Sequence, residues 1–145
     1  MPSFAEFEAE APALAARVRE RLDAHVHKTL ATVRRDGSPR ISGTETQWRD
    51  DDLWIGSMSD AVKARDLQHD PRFALHSGSD DPDVWQGDAK LAGVVEETTE
   101  PEDSSHTFRL DLREVSTVGL DDARKHLVIE VWTPEGGVRT MKRDD

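Results

Sequence analysis

From Phe4 onward, apolar residues recur at alternating spacings of three and four, through Phe7, Ala11, Leu14, Val18 and Leu22. Such a stripe marks one face of an α-helix. The spacing predicts an amphipathic helical segment over Ser3 to His25, opened by a Ser3 and Glu6 capping box and kinked or restarted at Pro12. Beyond it the period falls to two. KTLATVRR (28–35), RISGTETQW (40–48) and DLWIGSM (52–58) read as three strands, the first two joined by the turn DGSP, where Asp36-Gly37 supplies positive backbone angles. Between Ser57 and Lys63 the period returns to helical, giving a short helix AVKARDLQHD (61–70) stopped by Asp70-Pro71. RFALHS (72–77) is a fourth strand. After the acidic loop GSDDP (78–82), Leu91, Gly93 and Val95 alternate with their neighbours in WQGDAKLAGVVEE, a fifth strand. Residues 98–105, TTEPEDSS, have the composition of an exposed flexible connection. HTFRLDL, REVSTVG, HLVIEVW and, after the turn PEGG, VRTMK are the return strands.

Many short strands, one helix inserted after the third and one at the N-terminus, predict a mainly β fold with flanking helices: a closed or half-closed antiparallel barrel. The 145 residues suit a single domain, with 1–25 packed on the barrel. Glycine-rich dinucleotide and phosphate-loop fingerprints are absent.

Charge narrows the partners. A formal net charge of −11 opposes binding to nucleic acid or an anionic membrane, both of which need a basic surface. Without cysteine there are no disulfides, thiolate metal sites or cysteine nucleophiles. MPSFAEFEAE is acidic and lacks the apolar core of a signal peptide, and no run reaches transmembrane length, so a cytoplasmic protein is expected.

The backbone amides opening the helix after Ser57 and the Lys63 ammonium converge on an anion, a phosphate being the natural candidate. The residues alone leave open whether Lys63 is merely a solvated charge and Arg40 a guard at a strand edge. Trp48, Trp54, Trp85 and Trp132 are expected in core or edge packing, with Trp85, which follows a loop, placed to border a pocket. His25 and His27 have the spacing of two metal ligands on one strand face but lack a third, and no metal site is expected. A Ser-His-Asp hydrolase has no nucleophile elbow to support it. Asp50-Asp51-Asp52 and Asp80-Asp81 read as solvated turns.

These elements resemble the pyridoxamine 5'-phosphate oxidase-like split barrels that bind FMN or the deazaflavin F420. The likeness runs from about Lys28 to the C-terminus. It is carried by the hairpin around Gly37-Ser38-Pro39, the third strand Leu53-Trp54-Ile55, the helix opening Ala61-Val62-Lys63-Ala64, the Asp70-Pro71-Arg72 break and Gly87-Asp88-Ala89. The resemblance implies a split β-barrel of FMN-binding type. It further implies an obligate homodimer with the cofactor in the groove between subunits, and hydride transfer to or from a small-molecule substrate. It places Arg40 and Lys63 on the cofactor phosphate, and Ile41, Ser42, Ile55, Gly56, Ser57 and Met58 along the ring and ribityl chain, partly through backbone groups. Trp132 and Arg139 are placed where they reach a partner's site or else serve as a core tryptophan and a surface arginine. No catalytic residue is implied.

Three departures matter. Ala61 and Val62 stand where the family commonly has serine and arginine, and Glu45 lies near a position that is basic in pyridoxamine phosphate oxidases. The chain closes with TPEGGVRTMKRDD instead of an Arg-Leu-x-Pro-like ending, so oxidation of pyridoxamine phosphate itself is not expected. The competing expectation is a cofactor-binding or cofactor-less barrel without turnover.

Overall fold

A computed structural model describes residues 2–58, 60–98 and 105–144. The order of elements is α1 (Phe4–Glu10), α2 (Pro12–Asp23), β1 (His27–Val33), β2 (Pro39–Arg49), β3 (Asp52–Ser57), α3 (Val62–His69), β4 (Arg72–His76), β5 (Asp88–Thr98), β6 (His106–Leu120), β7 (Leu127–Thr133) and β8 (Gly137–Arg143). The apolar stripe at the N-terminus becomes two helices. Proline lacks the N–H that a helix interior would use, so Pro12 opens α2 where α1 has ended at Ala11. The Ser3 hydroxyl accepts the Glu6 N–H at 3.3 Å, capping α1.

The strands form one antiparallel sheet in the order β3-β2-β1-β4-β5-β6-β7-β8, and β3 also pairs with β6. That pairing closes six strands into a barrel, which leaves β7 and β8 as a continuation of the sheet. Two stretches read from the sequence as separate strands, HTFRLDL and REVSTVG, are one long strand, β6. Its first half pairs with β3 (Ser57↔His106 to Trp54↔Arg109) and its second half with β7. The change of partner is made at a bulge. Leu112 pairs with Gly93 and Glu114 with Ala92, so Arg113 is the extra residue. Gly93 is required here because a Cβ would lie 1.9 Å from the Asp111 carbonyl oxygen.

The turns are built by different means. Gly37 takes φ 87°, while Asp36 contributes its carboxylate, which accepts the Ser38 N–H at 2.9 Å; the expected positive angle thus falls on Gly37 alone. Between β2 and β3, Asp50 and Asp51 both lie in the left-handed region (φ 51° and 64°), the geometry of a two-residue hairpin whose ends are the Arg49↔Asp52 pair.

One hydrophobic cluster joins barrel and helices, running from Phe4, Phe7, Leu14 and Val18 to Leu30, Leu53, Leu75, Leu91, Phe108, Leu110 and Trp132. Phe4 meets Trp48 edge-on at 4.7 Å and Phe7 meets Trp132 at 4.8 Å. The Arg19 guanidinium lies 4.1 Å from the Trp48 ring and is held by Glu8 at 2.9 Å. Trp132 is 1% exposed and donates to Glu10, which makes it a core residue of this chain; Arg139 is on β8, exposed and opposite Val131. Trp85 donates to Asp88 at 3.1 Å at the entrance to β5. The flexible connection expected over 98–105 lies mostly outside the described residues. Among the described residues, no helix is long and apolar enough to cross a membrane.

Candidate functional site

Strand alternation decides which candidate side chains face a ligand. On β2 the side chains of Arg40, Ser42, Thr44, Thr46 and Trp48 turn inward, and Ile41, Gly43, Glu45, Gln47 and Arg49 turn outward. On β3, Leu53 and Ile55 are sealed in the barrel, while Trp54 and Gly56 face out. Ile55 is 2% exposed, so its side chain is unavailable to a ligand on the outer face. Ser42 is half-buried on the inner side, paired with Leu30.

Among the described residues, two of the grooves open on the outer face of the strands that carry the candidate residues. The first, about 270 Å³, is lined by Glu45, Gln47, Gly56, Ser57, Met58 and Ser105. It thus brings together Gly56, Ser57 and Met58 from the sequence-predicted set. Gly56 lines it without a side chain, and a Cβ there would make only ordinary contact, at 3.9 Å from the Gln47 amide nitrogen and the His106 carbonyl oxygen. The second groove, about 330 Å³, runs over β1, β4 and β5 and is walled by Ile41, Ala31, Ala74, Ala92, His76 and Lys90. Ile41 is 74% exposed at its edge. Along β2, Gly43 stands between the two grooves, with nothing within 4 Å of a Cβ built there, so no side chain from β2 separates them.

The two predicted phosphate contacts are both tied to β2 and α3. Lys63 reaches back from the first turn of α3 and donates from Nζ to the Gly43 carbonyl at 3.0 Å. An ammonium carries three donors, so two remain for a ligand. Arg40 donates from Nε to Asp66 Oδ2 at 2.7 Å, and the same oxygen accepts the Thr32 hydroxyl at 2.8 Å. Asp66 is 7% exposed and Thr32 2%. The sequence reading missed this buried link: residues 32, 40 and 66 meet only through the fold, although inward alternation puts Thr32 and Arg40 on the same barrel face. Ala61 caps α3 without a side-chain hydrogen bond, and Val62 is half exposed.

The histidines considered as a metal pair go separate ways. His25 Nε2 contacts Asp80 at 2.8 Å, and His27 Nδ1 lies 3.9 Å from Glu45. Elsewhere, burial pushes the Lys28 ammonium below its usual value, Asp23 and Glu45 partly offsetting the loss of water. Burial likewise raises the Asp111 carboxyl, against the pull of Arg109.

The chain belongs to the pyridoxamine 5'-phosphate oxidase family, whose profile matches residues 14–127. Several solved structures share its fold. A pyridoxamine 5'-phosphate oxidase-related, FMN-binding protein of Nostoc punctiforme PCC 73102 is 12% identical with a TM-score of 0.69, the match covering 93% of this chain and 97% of that one. PhzG of Burkholderia lata 383, solved in complex with tetrahydrophenazine-1-carboxylic acid, is 14% identical with a TM-score of 0.64 over 93% and 88%. A heme-binding protein of Mycobacterium smegmatis is 16% identical with a TM-score of 0.60 over 92% and 88%. No curated protein matches the chain.

Proposed function

We propose that this split barrel binds FMN, or in its place the deazaflavin F420, and acts as an oxidoreductase that moves a hydride between the cofactor and a small organic substrate. The observation that carries the reading is the outer face of β2. Glu45 and Gln47 of β2 share a groove with Gly56 of β3, Gly43 leaves a side-chain-free stretch beside it and the Lys63 ammonium reaches the Gly43 carbonyl, while Arg40 enters from the inner face at the start of the strand with its guanidinium partly exposed. A flat ring needs an uncluttered surface, and a phosphate needs fixed cations. The residues fit such a group: Gly56, Ser57 and Met58 border the ring groove, and Lys63 and Arg40 hold the phosphate. When bound, a flavin supplies the hydride-accepting ring. The chain supplies position, by covering one face and excluding water. The FMN-binding likeness in Nostoc punctiforme supports this choice of ligand.

The reading includes a homodimer with the cofactor in the groove between subunits. Ile41 and Met141, 74% and 47% exposed on the outward face of the sheet, are the apolar residues a second copy would cover. A second reading, a cofactor-binding or cofactor-less barrel without turnover, is favoured by Glu45, whose charge in the groove opposes an anion, and by Ala61 and Val62 at the opening of α3, which offer it neither a hydroxyl nor a guanidinium.

Titration of the purified chain with FMN and with F420, followed by ligand and tryptophan fluorescence, tests the assignment. Saturable binding of one cofactor is expected, and Lys63→Ala is expected to weaken it by about 10- to 100-fold, the worth of a charge-assisted hydrogen bond. Unchanged affinity in a folded Lys63→Ala variant rules out the phosphate assignment. Reduction of the bound cofactor by a hydride donor separates turnover from mere binding.

A further inference from the structure

We propose that Asp66 is a positioning residue for the cofactor phosphate, holding the Arg40 guanidinium by its Nε edge so that the Nη groups are presented to the ligand; this rests on the reading above that Arg40 and Lys63 receive a phosphate. The side chain of Asp66 projects from α3 into the end of the barrel, where one of its oxygens, Oδ2, accepts from both Thr32 and Arg40 at 2.8 and 2.7 Å. A guanidinium held at Nε retains four N–H donors on its two Nη atoms. Among the described residues, no hydrogen bond or ion pair occupies those Nη donors. The Arg40 side chain is 28% exposed, against 8% for Asp66, so its free end is the accessible part of the pair.

The same carboxylate acts on the second cation. By anchoring α3 to β1 and β2, Asp66 fixes the helix whose first turn carries Lys63, and Lys63 Nζ reaches the Gly43 carbonyl at 3.0 Å. One buried acid thus sets the direction of two basic groups from different elements. Buried ion pairs add little to stability compared with apolar packing of the same volume. What this one supplies is a pre-oriented arginine, which loses less rotamer freedom when the ligand arrives.

The proposal has a distinguishing sign. As a mere counter-charge, Asp66 weakens anion binding, and its removal would tighten the site for phosphate. As a positioning group, its removal loosens the site even though a negative charge has gone. FMN and riboflavin differ only by the phosphate, so the ratio of their affinities isolates the effect from general damage to the fold.

The experiment is a fluorescence titration of the full chain with FMN and with riboflavin, for the parent, Asp66→Ala, Asp66→Asn and Thr32→Val. For Asp66→Ala, FMN affinity is expected to fall about tenfold while riboflavin affinity stays within about twofold. Asp66→Asn keeps an acceptor oxygen and is expected to bind FMN at least as well as the parent. Thr32→Val removes one of the two donors on Oδ2 and is expected to move the FMN-to-riboflavin ratio in the same direction by less, so the test survives if Asp66→Ala does not fold. FMN binding by Asp66→Ala as tight as the parent's, or an equal loss of FMN and riboflavin, overturns the positioning role while leaving the phosphate reading intact. A parent that does not prefer FMN to riboflavin overturns the phosphate reading and the positioning role together.

Discussion

Substituting Gly93 by alanine attacks the residue on which barrel closure turns. A methyl carbon at that position would sit 1.9 Å from the Asp111 carbonyl oxygen, 3.0 Å from the Asp111 carbonyl carbon and 3.1 Å from the Arg113 nitrogen. All three are backbone atoms of the β6 bulge, so no side chain can swing aside. Ordinary C···O contact begins at about 3.3 Å, which requires the two strands to part by about 1.4 Å at the point where β5 and β6 change register. Overpacking of this kind costs about 3 kcal/mol or more. With an unfolding entropy of about 2.1 cal/mol/K per residue, the 145 residues give about 0.3 kcal/mol/K. The expected loss in Tm is therefore about 10 °C. Thermal denaturation followed by circular dichroism measures it, with Gly43→Ala as the matched control. Nothing lies within 4 Å of a Cβ at Gly43, so the same chemical change there is expected to be neutral or slightly stabilising. A Gly93→Ala Tm within about 2 °C of the parent would show that the bulge is not the rigid corner described above. The half of β6 on the N-terminal side of the bulge pairs with β3, Thr107 lying opposite Gly56, so loss of cofactor affinity is expected to accompany the loss of stability.

Two further perturbations probe the core and its charges. Phe7→Ala removes a fully buried ring packed on Phe4 and Trp132, at an expected cost of about 3–5 kcal/mol read by denaturant titration; a shift below about 1 kcal/mol would mean that α1 is not integral to the core. Lys28→Met tests the buried ammonium. Its folded-state pKa lies below 10.5, so the charged form opposes folding at neutral pH and the penalty fades as pH rises through the lowered value toward 10.5. The variant is expected to exceed the parent in stability near pH 7, with the gap closing on the alkaline side. A gap that widens with pH would reverse the assigned sign.

The alternation of side chains was legible residue by residue. The three-and-four spacing from Phe4 to Leu22 became α1 and α2, all six of its residues fell in the core, and Pro12 marked the break. The period-two segments from Lys28 to Ser77 became β1 to β4 around α3. Misreadings arose where a local signal had a non-local cause. HTFRLDL and REVSTVG read as two strands because Arg113 breaks the alternation, and only the Gly93 bulge shows that one strand continues through it. Of the candidate ligand contacts, Gly56, Ser57 and Met58 share a groove. Ile55 alternates inward, and Trp132 is covered by α1.

What the sequence by itself determined is the identity and order of the elements and the face each residue presents, because helix and strand periods are properties of the local backbone. The tertiary structure alone decided that β3 closes onto β6, that Gly43 leaves the space between two grooves clear, and that Asp66 meets Thr32 and Arg40 across 34 and 26 residues of chain. Barrel closure brings distant segments within hydrogen-bonding reach, and no pattern within a single segment records which distant buried carboxylate an arginine will find.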